Sequence, residues 1–113
     1  MLARRIEAAG IPTVVVTMMP LTATQLLAPR VVGVEFPFGH PFGQPGDVDT
    51  QRLVLETAVT VLAGAAEPVT RVDIDREWPQ PRGEAYRAWQ PAEPSPIVAL
   101  LLNRQGRGSE DRR

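Results

Sequence analysis

The first apolar positions of the chain follow helical spacing and then become an unbroken run. Leu2, Ile6 and Ala9 recur at the interval that places side chains on one helix face, which predicts a helix over residues 2–9. Residues 11–18 then carry three consecutive valines with no polar alternation. An unalternated β-branched run is typical of a strand that is covered on both faces, as in a parallel sheet.

A second helix and strand follow directly. Residues 22–28 have enough apolar positions for two helical turns, and Pro29 ends this helix. Residues 30–36 then form a second valine-rich strand. Two apolar strands joined by a short helix predict a parallel βαβ unit. The predicted fold class is therefore α/β, with a small parallel βαβ-type sheet and helices around it.

The clearest helix is predicted over residues 48–63. Asp47 precedes it as an N-cap, and Leu55, Val59 and Leu62 form an apolar stripe. Val48, Val54, Ala58 and Val61 join this stripe.

Beyond residue 66 the chain becomes rich in proline. Residues 69–74 alternate apolar and polar positions, which is typical of an edge strand. Residues 75–93 are predicted as an extended arm that Trp78, Tyr86 and Trp89 anchor to its own surface or to a neighbour.

These patterns divide the chain into four parts. Residues 1–66 form the α/β core, and 67–95 the Pro/Trp-rich extended arm. A short helix begins with Ser95 as N-cap and Pro96 as its first residue, and it covers 96–106. Residues 107–113 lack apolar side chains and are predicted to be disordered.

The predicted sheet is too small to be self-sufficient. A sheet of two or three strands cannot cover both of its faces with the helices available, and the sequence begins in a helix with no strand before it. We therefore expect a piece of a larger α/β assembly, in which a partner or a second copy completes the sheet.

Composition narrows the chemistry. The net charge of −1 provides no field for nucleic acid or an anionic membrane. Every basic residue is arginine, so Schiff-base chemistry and a P-loop lysine are excluded. The absence of cysteine excludes thiol catalysis, disulfides and thiolate metal sites by this chain itself.

No metal site and no membrane span are expected. A single histidine with scattered carboxylates matches no metal-ligand spacing. Apolar runs are much shorter than the roughly 20 residues that a transmembrane helix needs. The amino terminus has no signal-type apolar stretch, and a cytoplasmic location is expected.

The loop over residues 35–46 is the first place to look for function. It contains all three phenylalanines, the only histidine, three prolines and three glycines. Proline fixes φ and glycine reaches conformations that other residues avoid, so this loop is predicted to be stiff. In an α/β sheet, a loop that leaves the carboxyl end of a strand lies where ligands usually bind.

Three charged or titratable residues are candidates for chemistry. His40 can donate a proton to a leaving amine or hold a substrate carboxylate, or it can simply brace the loop. Glu35 lies beside the phenylalanines, a setting that suits acid–base work, although a salt bridge is the structural alternative. Arg30 can clamp a carboxylate bidentately, or pair with Glu35 or with an acidic helix end.

Other residues are expected to line the same pocket. Thr17 and Met18 end the first strand, and Phe38, Gly39 and Phe42 lie in the loop beside His40. The phenylalanines form a pocket wall in this interpretation; alternatively they pack the loop against the core.

The order of three short segments resembles one enzyme family. The segments are Ala9-Gly10-Ile11-Pro12 with its valine-rich strand, Ala28-Pro29-Arg30, and His40-Pro41-Phe42-Gly43. In this order they resemble the carboxy-terminal part of the selenoprotein B subunits of glycine, sarcosine and betaine reductases, with D-proline reductase as a relative. The resemblance covers residues 4–63.

The resemblance implies reductive cleavage of the C–N bond of an amino acid or its N-methylated derivative. In that family the nucleophile is a selenocysteine or cysteine in a U-x-x-C-type motif, located shortly before the helix that corresponds to residues 2–9. Because this sequence has no cysteine, the resemblance implies that a partner subunit with a C-x-x-C or U-x-x-C motif supplies the redox residue. No cofactor is expected to bind this chain itself.

Two functional hypotheses follow. The first is a small subunit of a hetero-oligomeric reductase, in which the ends of strands 12–18 and 30–35 and loop 36–46 complete a pocket at the partner's cysteine or selenocysteine. The alternative is a non-catalytic structural or regulatory protein that keeps only the scaffold, as a homo-oligomer with exchanged arms. An independent hydrolase or lyase that uses His40 and Glu35 is the third interpretation.

Overall fold

The structure is a computed structural model that describes residues 2–67, 69–90, 93 and 95–101. Its elements are α1 (Leu2–Ala8), β1 (Val15–Thr17), α2 (Pro20–Gln25), β2 (Arg30–Gly33), α3 (Val48–Gly64), β3 (Thr70–Asp73) and α4 (Arg82–Trp89). Residues 96–101 are also helical. The remainder of the predicted helix 96–106 and the predicted tail 107–113 lie outside the described residues.

The strands form one parallel sheet in the order β1-β2-β3. Val16 of β1 is opposite Val32 of β2, and Val32 is in turn opposite Val72 of β3. The predicted α/β class with a small parallel sheet is therefore confirmed.

Helices α2 and α3 cover opposite faces of the central strand. Val31 packs with Ala23 and Ala28 on the side of α2, whereas Val32 faces α3 and packs in the same core as Val54. Successive side chains of a strand point to opposite faces, so a strand covered by both helices needs apolar residues at consecutive positions. This requirement explains the consecutive valines Val31 and Val32 of β2.

Helix α3 begins as predicted, and part of its predicted apolar stripe faces the sheet. Asp47 caps it by accepting a hydrogen bond from the Thr50 N–H at 3.1 Å. The buried face contains Thr50, Val54, Ala58 and Val61. Three residues of the predicted apolar stripe, Val54, Ala58 and Val61, are therefore buried, whereas Leu55 and Val59 are each 56% exposed. The apolar surface of α3 is wider than the strip that the sheet can cover.

Two predicted segments differ in extent from the observed ones. Within 11–18, only Val15–Thr17 pairs as a strand. The arm predicted as extended over 75–93 contains α4, whose sequence is rich in good helix formers and whose Ala85 is buried. The prolines and tryptophans of this region predicted an extended chain, but the prolines lie outside α4 and do not interrupt the helix.

Gly33 packs tightly, and this closeness leads to a prediction. A Cβ added at Gly33 would lie 2.9 Å from Pro20 Cβ and would also collide with the Asp73 carboxylate. We expect Gly33→Ala to lower the free energy of unfolding by about 1–3 kcal/mol in urea titrations. The control is Gly64→Ala at the end of α3, where nothing lies within 4 Å and a gain of about 0.5 kcal/mol is expected. Equal effects of the two variants would contradict the described packing.

The cap of α3 predicts a dependence of stability on pH. Hydrogen bonds from the Thr50 hydroxyl and then the Thr50 N–H lower the pKa of Asp47 below the ordinary aspartate value of 3.8. A depressed folded-state pKa means that the ionised group stabilises the fold above the unfolded-state pKa, and that this contribution is lost as the pH falls through the folded-state pKa. Asp47→Asn keeps a capping side chain. Its Tm should therefore decrease less than the wild-type Tm when both proteins are acidified below pH 3.8. If the plots of Tm against pH for the two proteins run parallel, Asp47 does not have this role.

Candidate functional site

Loop 36–46 is a series of tight turns at the carboxyl end of β2. The His40 N–H donates to the Pro37 carbonyl, and the His40 carbonyl accepts from the Gly43 N–H, both at 3.1 Å. Gly39 and Gly43 have φ values of 87° and 90°, in the left-handed region that favours glycine. These local bonds give His40 a defined place in the loop.

Trp78 connects this loop to the segment that follows β3. Its ring centroid lies 5.5 Å from that of His40 and 5.6 Å from that of Phe36, both in tilted arrangements. Phe36 belongs to the main core, and Trp78 packs against the same core. Trp78 Nε1 is buried and has no hydrogen-bond partner among the described residues. The His40 ring is therefore held against a tryptophan that is itself fixed to the core.

A cavity of about 230 Å³ opens beside His40 and Trp78. Its lining consists of Pro37, His40, Gln44, Pro45, Trp78, Gln80, Ala85 and Ala88. An imidazole and two side-chain amides provide its polarity, and no carboxylate or guanidinium is among the described lining residues. Such a site can hold a small polar molecule and exchange one proton with it through His40.

Trp78 was predicted to be an interface anchor on an extended arm and not a part of this site. The available signal was its position, since Trp78 follows the carboxyl end of β3 and β3 lies parallel to β2. Loops that leave the carboxyl ends of neighbouring parallel strands meet at the same edge of the sheet.

The other residues predicted for a pocket at the carboxyl ends of the strands are not among the described residues that line the His40 cavity. The Thr17 hydroxyl accepts a hydrogen bond from the Met19 N–H at 3.0 Å, and Met18 packs against the core. Phe38 and Phe42 are exposed in the same loop. Gly39 provides the left-handed turn immediately before His40.

Glu35 has a different environment from the predicted one. The sequence places it beside the phenylalanines, but its side chain is exposed. Along β2 and its extension, the neighbouring residues Val34 and Phe36 are buried toward α3. Alternation directs Glu35 to the other side, away from that core. The structure therefore does not place Glu35 in an apolar pocket.

Arg30 lies at the amino end of the parallel strands, opposite the end that leads into loop 36–46. It begins β2, and its Nη1 donates to Glu7 Oε1 at 2.6 Å. Arg30 Nε is buried without a partner among the described residues. Hydrogen bonds from Thr13 and the positive charge of Arg30 lower the pKa of Glu7, with the Thr13 backbone N–H as the largest cause. Arg30 thus pairs with an acidic residue near the end of α1.

A second cavity, of about 460 Å³, surrounds this ion pair. Its lining consists of Arg4, Glu7, Ala8, Leu27, Pro29, Arg30, Ala65, Ala66, Glu67 and Val69. In a parallel sheet all strands begin at one end of the sheet and finish at the other, so the first and last residues of a strand are a full strand length apart. For that reason Arg30 is separated from the loop that follows the end of β2, and the prediction of one shared pocket is not realised in this chain.

Within the described part of the chain, no group of three or more His, Cys, Asp or Glu residues could hold a metal ion. No helix there combines the length and apolar character required to cross a membrane.

Comparison with known proteins provides no relative. No protein-family model, curated protein sequence or solved structure matches this chain.

Proposed function

We propose that this chain is a small subunit of a hetero-oligomeric reductase related to the glycine, sarcosine, betaine and D-proline reductases. Its loop 36–46 forms one wall of a pocket, and a partner chain supplies a redox cysteine or selenocysteine. The observation that carries this proposal is the His40 cavity at the carboxyl edge of a sheet whose helices leave large apolar side chains uncovered.

The uncovered apolar surface supports a partner. It includes exposed side chains on all three helices around the sheet: Leu2 on α1, Leu21 on α2, Leu26 and Leu27 just after α2, and Val48, Leu55 and Val59 on α3. Single exposed apolar residues are ordinary, but here they recur on helices at both faces of a small sheet. A companion that covers these helices would complete the two-sided α/β arrangement.

The residue types support a division of chemistry between two chains. This sequence contains no cysteine and no lysine, so the usual thiolate and amine nucleophiles are absent from it. His40 is the only histidine, and it borders a cavity. The chain therefore contributes proton transfer and positioning, and the partner contributes the nucleophile.

The step proposed for the joint site is a displacement at carbon. The partner's thiolate or selenolate attacks the carbon that bears the amine, and a carbon–sulfur or carbon–selenium bond forms as the C–N bond breaks. His40 donates a proton to the neutral amine of glycine, sarcosine or D-proline as its C–N bond breaks. The quaternary nitrogen of betaine leaves as trimethylamine and needs no proton. The Gln44 and Gln80 amides in the same cavity lining offer hydrogen bonds to the polar groups of the substrate.

Reconstitution tests this proposal. The chain is co-expressed with an α/β chain that carries a C-x-x-C or U-x-x-C motif and is encoded beside it. The purified complex is then assayed with a dithiol for release of amine from glycine, sarcosine and betaine, and for ring opening of D-proline, whose nitrogen stays in the product. We expect a stable complex that releases amine only when both chains and the partner's redox residue are present. Failure of the two chains to associate would overturn the proposal.

The alternative function predicts a different result from the same experiment. A non-catalytic structural or regulatory protein is favoured by the same exposed apolar side chains, because these alone call for a partner. In that case the complex would form, but the partner's activity would not depend on the His40 cavity.

A further inference from the structure

The two outer strands of the sheet have free edges of different chemical character. The Thr17 carbonyl accepts from the Val34 N–H at 3.0 Å, so Thr17 faces the central strand. Backbone groups alternate in direction along a strand, and the N–H and carbonyl of Val16 therefore point away from β2. Among the described residues no strand pairs with this outer side of β1.

The outer edge of β3 carries charge. Thr70 and Ile74 donate their N–H groups to carbonyls of residues 29 and 33, so Arg71 and Asp73 direct their backbone groups outward. The side chains of these two residues form an exposed ion pair at 2.6 Å. Charged side chains on an edge strand are a common protection against pairing with another chain.

The outer edge of β1 has no such protection. Residues 11–29 contain no charged side chain, and all three residues of β1 are partly buried. Val15 packs toward α2, whereas Val14 and Val16 pack toward the core beneath α3. A strand that is apolar on both faces is typical of the interior of a parallel sheet rather than of its edge.

We propose that the partner chain docks by adding a β-strand parallel to β1 along this outer edge. This inference rests on the proposed function and specifies how the partner binds. The added strand lies next to β1 and about 10 Å from β2, two strand spacings away. Because it runs parallel, its following loop emerges at the carboxyl edge, where β1 ends and loop 36–46 begins.

A second copy of this chain fits the edge less well. Two copies related by a two-fold axis would pair β1 with β1 in antiparallel orientation. No new helix would come from a crossover connection to cover the joined strands. A partner that brings its own strand and helices covers both faces.

Hydrogen exchange on the wild-type complex tests the inference directly. We expect the Val16 amide to exchange at least about tenfold more slowly in the complex than in the isolated chain. The Arg71 and Asp73 amides, which point outward at the other edge, are the internal control and should not change. Protection of Arg71 and Asp73 without protection of Val16 would overturn the inference. Concentration-dependent protection of Val16 in the isolated chain would identify a second copy as the occupant and would also overturn it.

A matched pair of proline variants provides the second test. Val16→Pro removes an outward N–H and leaves the β1–β2 hydrogen bonds in place, and Arg71→Pro does the same at the β3 edge. We expect Val16→Pro to weaken partner binding by about 10- to 100-fold and Arg71→Pro to change it by less than about twofold. Equal binding by both variants would contradict docking at β1. If Val16→Pro fails to fold, the wild-type exchange measurement decides.

These tests separate the docking inference from the proposed function. A complex that releases amine while Val16 remains unprotected would refute strand addition at β1 and leave the reductase proposal intact. Absence of any complex would refute both.

Discussion

Val54→Asp should prevent this chain from folding. Val54 is fully buried on the face of α3 that packs in the same core as Val32. An unpaired carboxylate there loses its hydration without gaining a partner, which costs several kcal/mol. Since small domains are stable by only about 5–15 kcal/mol, we expect loss of helical circular dichroism and no thermal transition.

The neighbouring substitution Leu55→Asp is the matched control. It introduces the same side chain one residue further along the same helix, at a position where the leucine is 56% exposed. We expect the free energy of unfolding of the isolated chain to change by no more than about 0.5 kcal/mol, whereas partner binding weakens. If both variants unfold to the same extent, the assignment of the buried face of α3 is wrong.

His40→Ala should reduce release of the amine of glycine by the reconstituted complex about 10²- to 10⁴-fold, the range expected for loss of a general acid. The proposed role requires the imidazole to protonate the leaving amine in the cavity beside Trp78. The two chains should still co-elute, because His40 lies in the loop and not on the outer edge of β1. The measurement is single-turnover amine release at matched complex concentration.

His40→Phe separates chemistry from packing. It keeps an aromatic ring against Trp78 but cannot transfer a proton. We expect His40→Phe to be as slow as His40→Ala while restoring any stability that the alanine loses. Full turnover in either variant would remove His40 from the reaction and favour the non-catalytic alternative.

The fold could largely be predicted from local patterns. The valine run over residues 14–16 indicated a strand covered on both faces, but it lies in β1, an outer strand that is only partly buried. The strand covered on both faces is β2, whose Val31 and Val32 are buried between α2 and α3. Asp47 was correctly predicted to cap α3. The sequence could not predict which residues of the broad apolar stripe of α3 face inward, because the stripe is wider than the strip that the sheet covers.

The site was harder to predict than the fold. His40 was identified by composition, since the only histidine lies in a proline- and glycine-rich loop after a strand. Trp78 was missed because its contact with His40 joins residues 38 positions apart. Arg30 was grouped with His40 although strand direction places it at the opposite edge, beside Glu7. Glu35 was expected to be buried beside the phenylalanines, and alternation along the strand exposes it instead.

Calorimetry of the isolated chain, combined with sedimentation, tests most directly whether its sheet is complete. A fully packed domain of 113 residues should unfold with an enthalpy of about 80 kcal/mol near 60 °C. An incomplete sheet predicts a broad transition of much lower enthalpy, which sharpens and increases when the partner is added. A sharp transition of full enthalpy from a chain that sediments as a monomer would contradict this account.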